Sequence, residues 1–581
     1  MDQKRLLTAI VLSITILLGF RLLQPPAVPP AEATRTTPSD AVPPPRIDPS
    51  ALVTQPTAAV PPSSEQRDVP RLKIMAGRVQ GSVNLVGAKI DDLVLRDYRE
   101  QVAPDSPLVR LLEPRVDPQP YYVQYGFTSA SGVKTPDQTA TWTASAPELT
   151  QAAPVTLSWD NGEGQVFEIV LSIDDAYMFT VEQRVRNTSG AAVKVTPYAR
   201  IRREYTPATG GFFILHEGLV GVLGGTLKEE KYDDAKKEAA KYKDREGASM
   251  QIDSTGGWLG FTDKYWLTAL VPDQAVPVTA RFRHFAEGGS DQYQADFVPT
   301  QPLDIAPNAT IGTTTHVFAG AKEVTLLDRY EEALRLPYFD KAIDFGWFYP
   351  FTKWIFFALD WLYKITGNFG VAILIFTVFA KTLFFPLANK SYKSMSKMKQ
   401  LGPKIAEVRE RLKDEPQKMQ AEIMGVYRTS GVNPASGCLP MVVQIPVFFS
   451  LYKVIFVTIE MRHAPFFGWI HDLSVVDPTN VFNLFGLLPF DPAGFSHYLH
   501  LGIWPLIMGV TMFLQQKLNP PPPDPVQAKI FQFMPIIFTF MLASFPAGLV
   551  IYWSWNNLLT IAQQWTIMRR SRLATTVPAR S

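Results

Sequence analysis

Five apolar runs crowd the C-terminal part of this 581-residue chain, at 369–387, 437–457, 499–517, 530–545 and 549–568. Runs of about 20 apolar residues span a bilayer as helices, since every backbone polar group in lipid must be satisfied within its own segment. The run 530–545 is short, at ~24 Å against a hydrocarbon core of ~30 Å, so it draws in flanking residues or thins the bilayer locally. A sixth run, Leu6 to Phe20, follows Lys4 and Arg5. It has the form of a signal sequence or a signal anchor. Ala31-Glu32-Ala33 has cleavage-site spacing but lies well beyond the run among prolines, and no cysteine follows closely enough for lipoprotein processing. The expectation is an uncleaved anchor over 1–23 and an α-helical polytopic membrane bundle of six transmembrane helices, five of them forming a core. Net charge is only +2, which argues against a general nucleic-acid binder, and the single cysteine, Cys438, excludes an intrachain disulfide.

Between anchor and core the pattern changes twice. Residues 24–70 are rich in Pro, Ala, Thr and Ser without an aromatic residue, and read as a disordered tether. From Arg71 to Phe339 the apolar period becomes two: Val193, Val195, Ala199 and Ile201 alternate with polar or small residues, and Phe179 and Val181 with Thr180 and Glu182. Turn signals such as Asp160-Asn161-Gly162 and Asn187-Thr188-Ser189-Gly190 separate the runs. The pattern predicts a large external antiparallel β-sandwich domain over 71–345, interrupted by a charged helix or loop at Lys228 to Glu246 and closed by a helix near Asp328 to Leu336. Residues 346–367 are short and strongly aromatic with Lys353, Asp360 and Lys364 among them, as in an amphipathic helix lying in the membrane interface, the alternative being a buried core helix. Ten basic residues fall in 388–432 and none in 463–516; the tail 571–581 and Arg569 and Arg570 before it are also basic. The positive-inside rule then places both termini and the 388–432 loop in the cytoplasm, and the β-domain and 458–498 outside.

Within the core 368–570, Lys381 stands alone in its apolar run, roughly 18 Å from one end and roughly 9 Å from the other. An ammonium at such depth lines a wet cavity, finds a partner or snorkels to the interface. Thr377 lies one turn away, Pro440, Gln444 and Pro446 fall within 437–457, and Trp553, Asn557, Thr560 and Gln564 share one face of the last helix. Either Lys381, Thr377, Gln444 and part of that face line one wet groove, or the polar groups form interhelical hydrogen bonds without a cavity. The 388–432 loop reads as a two-helix hairpin broken at Asp414-Glu415-Pro416, with Met395, Met398, Leu401, Ile405, Val408 and Leu412 at helical steps. Such a face receives apolar peptide, or the hairpin is a solvated device that enforces topology. Glu163, Glu168, Asp174 and Asp175 read as turn acids rather than a catalytic pair, and His463, His471, His497 and His500 lack metal spacing. No motif calls for a cofactor or a metal.

One resemblance covers about 350–570. Gly431-Val432-Asn433-Pro434, Gly437-Cys438-Leu439-Pro440-Met441, Gln444, Pro446, Phe448 and Leu451-Tyr452 resemble the YidC/Oxa/Alb membrane insertase family. Phe385-Pro386-Leu387, Ser394-Met395, Lys397-Met398, Ala464-Pro465-Phe466, Trp469-Ile470, Asp472-Leu473, Phe533-Met534-Pro535 and Phe545-Pro546 with Gly548-Leu549 match in the same order. The anchor, tether and β-domain are similar to the Gram-negative form. The resemblance implies a non-enzymatic insertase and folding chaperone of the bacterial inner membrane, with a groove open to cytoplasm and lipid. It implies nascent membrane proteins, the Sec translocon (SecYEG) with SecDF, the ribosome and lipids as partners, with no small-molecule substrate. The family's groove arginine falls at Lys381, which keeps the charge without the planar fork, and a tyrosine position of relatives falls at Trp553. Residues 482–500 look like an insertion in an external loop. The rival expectations are a channel or transporter, for which no internal repeat is seen, and a membrane-anchored carbohydrate-binding protein.

Overall fold

The computed structural model describes residues 69–209, 215–242, 246–413, 415–432, 439–488, 490, 500–519 and 525–576. The expected anchor 1–23, the tether up to residue 68, Cys438, residues 489 and 491–499 of the expected insertion and the end of the tail lie outside them. The described residues divide into two compact units, one within 69–372 and 446–474, the other within 373–445 and 475–576.

The first unit holds the β-sandwich that the period-two pattern predicts. Its strands form an 11-stranded and a 9-stranded sheet, antiparallel except where Arg71–Met75 runs beside Glu148–Leu149. Gln165–Ile173 alternates strictly between buried and half-buried positions, the mark of one face turned inward. Tyr121–Thr128 is buried at every residue and Val193–Arg203 at all but Lys194, so the larger sheet is covered on both faces. The inner faces meet through aromatic edges, with Tyr121 against Phe261 at 5.9 Å between centroids and Phe127 against Phe167 at 5.1 Å. Gly320 has room for the Tyr177 ring only because it lacks a side chain: a Cβ there would lie 2.2 Å from it.

Three helices accompany the sheets. Helix α1 (Tyr232–Lys241) occupies the charged interruption, helix α2 (Val324–Ala333) follows the last strand, and helix α3 (Tyr349–Thr366) is the aromatic helix. Helix α3 buries Thr352, Ile355, Phe356 and Leu359 and leaves Phe351, Trp354, Phe357 and Trp361 exposed. It ends at Gly367, whose positive φ of 68° lets its N–H bond Tyr363 O. Lys353 bridges Asp328 and Asp340 at 2.7 and 2.6 Å, tying this helix to the residues around α2.

The remaining helices are α4 (Phe369–Leu383), α5 (Phe385–Gln400), α6 (Gly402–Arg411), α7 (Pro416–Thr429), α8 (Leu439–Val457), α9 (Ile503–Leu518), α10 (Pro525–Leu542) and α11 (Ala547–Thr576). Among the described residues no single helix is long and apolar enough to cross a membrane alone. Helices α4 and α5 meet the test together, bent by 66°, and Val443–Val457 and Ala528–Leu542 are shorter apolar helices. The straight span expected at 369–387 therefore ends at Leu383. Pro386, in the first turn of α5, has no N–H for the Thr382 carbonyl and its ring would clash with that group in a continuous helix.

The loop 388–432 is likewise three helices and not two. Pro403 in the first turn of α6 breaks the apolar stripe at Leu401 and Gly402. Met395 packs with Ala388, Tyr392 and Ile567, while Ile405, Val408, Ile423, Tyr427 and Val432 form a second cluster. Met398 touches both clusters, and Leu401 and Leu412 pack on the second. The side chains expected to form an open apolar face thus make the interior of the helical loop.

Candidate functional site

Lys381 sits near the end of α4, two residues before the bend, and its ammonium donates to Thr560 Oγ1 of α11 at 2.8 Å. Thr560 Oγ1 donates its own hydrogen bond to Asn556 O at 2.7 Å, one turn back in α11, so its oxygen is oriented to accept from the lysine. Gln563, also on α11, donates to Lys381 O at 3.5 Å. A cavity of about 40 Å³ opens here, lined by Lys381, Phe384, Leu387, Tyr392, Val443, Gln444 and Gln563. That volume has room for about three waters, and Lys381, Gln444 and Gln563 supply the polar partners that hold water in place. Among the described residues no carboxylate lines it. On the far wall Gln444 of α8 donates to the buried Tyr552 hydroxyl of α11.

The expected site residues divide into two groups. Lys381 and Gln444 line the cavity, and Thr560 accepts from Lys381 without lining it. Thr377 is buried and donates to Ile373 O at 2.7 Å in its own helix, without reaching the cavity. Asn557 donates to Thr511 Oγ1 of α9 at 3.2 Å, and Gln564 donates to Asn519 Oδ1 at 3.0 Å. Trp553 packs with Phe538 and the Met508, Leu542 and Val550 cluster. The polar stripe of α11 therefore serves two neighbours: Thr560 turns toward α4, while Asn557 and Gln564 hold the segment at and just after α9. The polar members of the stripe make hydrogen bonds to neighbouring segments, and from α11 the cavity is lined by Gln563, which lies beside the stripe.

Gln563, Tyr552 and Tyr392 are the residues that the helical stripe missed. At ~100° per residue Gln563 lies roughly 80° round α11 from Trp553, outside the face counted at steps of four, three and four. Tyr552 immediately precedes Trp553, about 100° round the helix, and its hydroxyl accepts from Gln444.

Of the residues weighed for other chemistry, Asp174, Asp175 and His500 have partners within the fold, and His497 lies outside the described residues. Asp174 accepts from Tyr330 and from the N–H groups of Ala176 and Met178, closing its own turn. Asp175 pairs with Arg329 at 3.3 Å, and His500 Nε2 lies 2.8 Å from Asp477 O. Among the described residues no group of three or more His, Cys, Asp and Glu is placed to hold a metal ion.

Comparisons with known proteins agree along the whole chain. The family described as 60Kd inner membrane protein matches residues 361–574, and the YidC periplasmic domain family matches 71–358. A relative from Granulibacter bethesdensis, named Membrane protein insertase YidC, is 58% identical over 575 residues, covering 99% of both chains. A second with the same name, from Acidiphilium cryptum, is 54% identical over 513 residues, covering 87% of this chain and 85% of its own. Among solved structures, an active YidC insertase with its first transmembrane domain resolved is 18% identical at a TM-score of 0.35, covering 85% of this chain and 92% of that one.

Proposed function

This chain belongs to the YidC family of membrane protein insertases, and we propose that it receives short acidic segments of its clients at Lys381. It is a non-enzymatic inner-membrane insertase with a periplasmic β-domain, and nascent membrane proteins are its clients. The observation that carries the proposal is the state of the Lys381 ammonium. Its acceptor is a neutral hydroxyl, it borders a cavity with two glutamines, and among the described residues no carboxylate lines that space. A cation solvated by neutral groups keeps its charge available for an incoming anion, and that attraction strengthens as the site is desolvated.

Three steps follow. The nascent chain first meets the helical loop 388–432. Met395, Met398, Leu401, Ile405 and Leu412 are engaged in its packing, so first contact falls to its basic outer surface and to the exposed Met424. The polar cavity walls then lower the cost of bringing a short hydrophilic stretch part-way into the bilayer, with Lys381 drawing its acidic residues. Finally the client's own apolar span leaves into lipid, and burial of its side chains drives the transfer at about 25 cal/mol per Å² of apolar surface. No nucleotide is consumed. Lysine in place of the fork-shaped arginine suits an electrostatic role better than a bidentate one.

The wider arrangement is part of the same proposal. Six crossings, by the anchor 1–23 and five core segments, place both termini and 388–432 in the cytoplasm and leave α3 in the interface. Thr377, Trp553, Asn557 and Gln564 support the groove by fixing helix positions. The Sec translocon with SecDF, the ribosome and membrane lipids are the expected partners.

The test compares Lys381→Ala, Lys381→Arg and the unaltered protein on a panel of clients differing in the acidity of their translocated segments. Lys381→Ala should lower insertion of the acidic clients several-fold and spare neutral ones, while Lys381→Arg should insert both. Equal insertion of every client by all three forms contradicts the charge role.

A further inference from the structure

The loop between α8 and α9 turns apolar side chains outward where a solvated loop carries charge. From Pro478 to Phe490 the sequence holds no Asp, Glu, Lys or Arg. Within it the short 3₁₀ segment Val481–Gly486 and the two residues after it expose Phe482, Leu484, Phe485, Leu487 and Leu488, and Leu487 is 81% exposed. Large apolar side chains turned outward together mark a surface that something covers. Leu484 and Phe485 hold left-handed backbone, at φ 50° and 61°, which is costly for residues with a Cβ.

The polar groups of the loop point the other way. Phe485 N–H donates to Asn480 O at 2.9 Å, Leu488 N–H to Asn483 O at 3.0 Å and Phe482 N–H to Asn480 Oδ1 at 3.1 Å. Asp477, the acid just before the loop, is buried. Its Oδ1 accepts from Thr479 N–H and Oγ1, and its Oδ2 from Trp504 N–H in the first turn of α9. A segment that meets its backbone donors internally can leave water at low cost.

The base of the loop fixes where this surface lies. Val481 N–H donates to Leu501 O at 2.9 Å, and Ile503 N–H, at the start of α9, to Thr479 Oγ1 at 3.0 Å. Ala547 N–H, at the start of α11, donates to Val475 O at 2.6 Å. Gly502 permits the close approach, since a Cβ there would lie 2.6 Å from the Asp477 carboxyl carbon. The loop is thus pinned to the first residues of two helices, and the crossings proposed above put both of those ends at the outer surface of the bilayer.

We propose that Val481–Leu488 seats its phenylalanine and leucine side chains at the headgroup and acyl-chain boundary of the outer leaflet, so that lipid covers this surface. The loop offers no charged group to orient a protein partner. Phe and Leu are side chains that insert at a membrane interface, and the pinned base holds them at that depth. The inference rests on the proposed crossing arrangement.

The experiment places a nitrobenzoxadiazole probe at Leu487→Cys, Phe513→Cys or Asp105→Cys of the full-length protein, each in a Cys438→Ser background. Phosphatidylcholine vesicles carry bromine near the headgroup or near the chain ends, and iodide is the aqueous quencher. Phe513 lies ~15 Å along α9 from its start and reports the crossing itself. The Leu487 probe should be quenched several-fold more by bromine near the headgroup than near the chain ends, and several-fold less by iodide than the Asp105 probe. Leu484→Asn with Phe485→Asn, side chains that tolerate left-handed backbone, should raise iodide quenching at 487 several-fold and leave the Phe513 probe unchanged. Iodide quenching at 487 equal to that at 105 would overturn the proposal, and so would protection from iodide and bromine together, which would mean that protein covers the loop. A Phe513 probe that chain-end bromine fails to quench would instead remove the crossing, and the loop proposal with it.

Discussion

Single residues in this molecule are tuned by burial more than by contact. Glu460, just beyond α8, accepts the Val324 N–H at the start of α2 at 3.0 Å, while its second oxygen is buried with no hydrogen-bond partner. Burial raises its pKa from 4.5 to about 7, helped by Glu323 and Asp360. The folded protein therefore holds a proton that the unfolded chain releases near the ordinary glutamate value. The stabilisation is complete below that value and is lost as pH rises through about 7, a change worth ~3 kcal/mol. The melting temperature of the detergent-solubilised protein should accordingly fall between pH 5 and pH 8. Glu460→Gln, which keeps an acceptor for Val324, should flatten that fall and be the more stable form at pH 8. Parallel pH profiles for the two proteins would remove Glu460 from the account. Lys322, buried and bonded to Thr262 Oγ1 at 2.8 Å and Ala342 O at 3.2 Å, is brought down to about 8 by the same desolvation. Its pKa is lowered, so neutralisation of the folded form adds stability toward higher pH, opposite in sign to Glu460. The Glu460→Gln comparison separates the two.

At the scale of elements, prolines and glycines decide how the helices meet. Pro535 cannot donate to Phe531 O within α10, and Gln516 of α9 supplies the missing donor from its side chain. About two turns back along α9, Gly509 lies so close to α10 that a Cβ there would be 2.1 Å from Thr539 Oγ1. Gly509→Ala should destabilise the protein by about 1–3 kcal/mol through this clash. Thr539→Ala, which removes the colliding oxygen, should restore part of the loss in the double variant, as a melting-temperature cycle would show. Additive losses would mean that the two helices do not meet at this point. Element type was legible because it follows from local chemistry: alternation along Gln165–Ile173 requires a strand, and Gln417 to Thr429 resumes a helix after a proline. What was not legible is geometry between elements. The bend before Pro386 falls inside a run that composition alone makes continuous. The rotation of α11, which sends Thr560 toward Lys381 and Asn557 toward Thr511, depends on neighbours far away in sequence. The methionine stripe was seen correctly as apolar, but no local signal shows that Met395 is covered by Ile567.

For the whole molecule, the distribution of charge sets a direction across the membrane that no single helix does. The ten basic residues of 388–432 and the basic tail lie on one side of the proposed crossings, while 463–516 has no lysine or arginine at all. Moving a charged loop across the bilayer is costly enough that such asymmetry fixes orientation during synthesis. The β-domain then belongs on the side opposite the helical loop, because the proposed crossing that begins at Phe369 separates them in sequence. Two exposed positions report the two sides: Asp105 in the β-domain and Lys413 after α6. In a background where Cys438→Ser removes the only native thiol, Asp105→Cys should react with a membrane-impermeant maleimide in intact spheroplasts and Lys413→Cys should not. In inverted membrane vesicles the pattern should reverse. Reversal carries the argument because a merely buried thiol would stay silent in both preparations, whereas a sided one must react in one of them. Labelling of both positions in the same preparation would require an even number of crossings between residues 105 and 413, and the proposed six-crossing arrangement would fall with it.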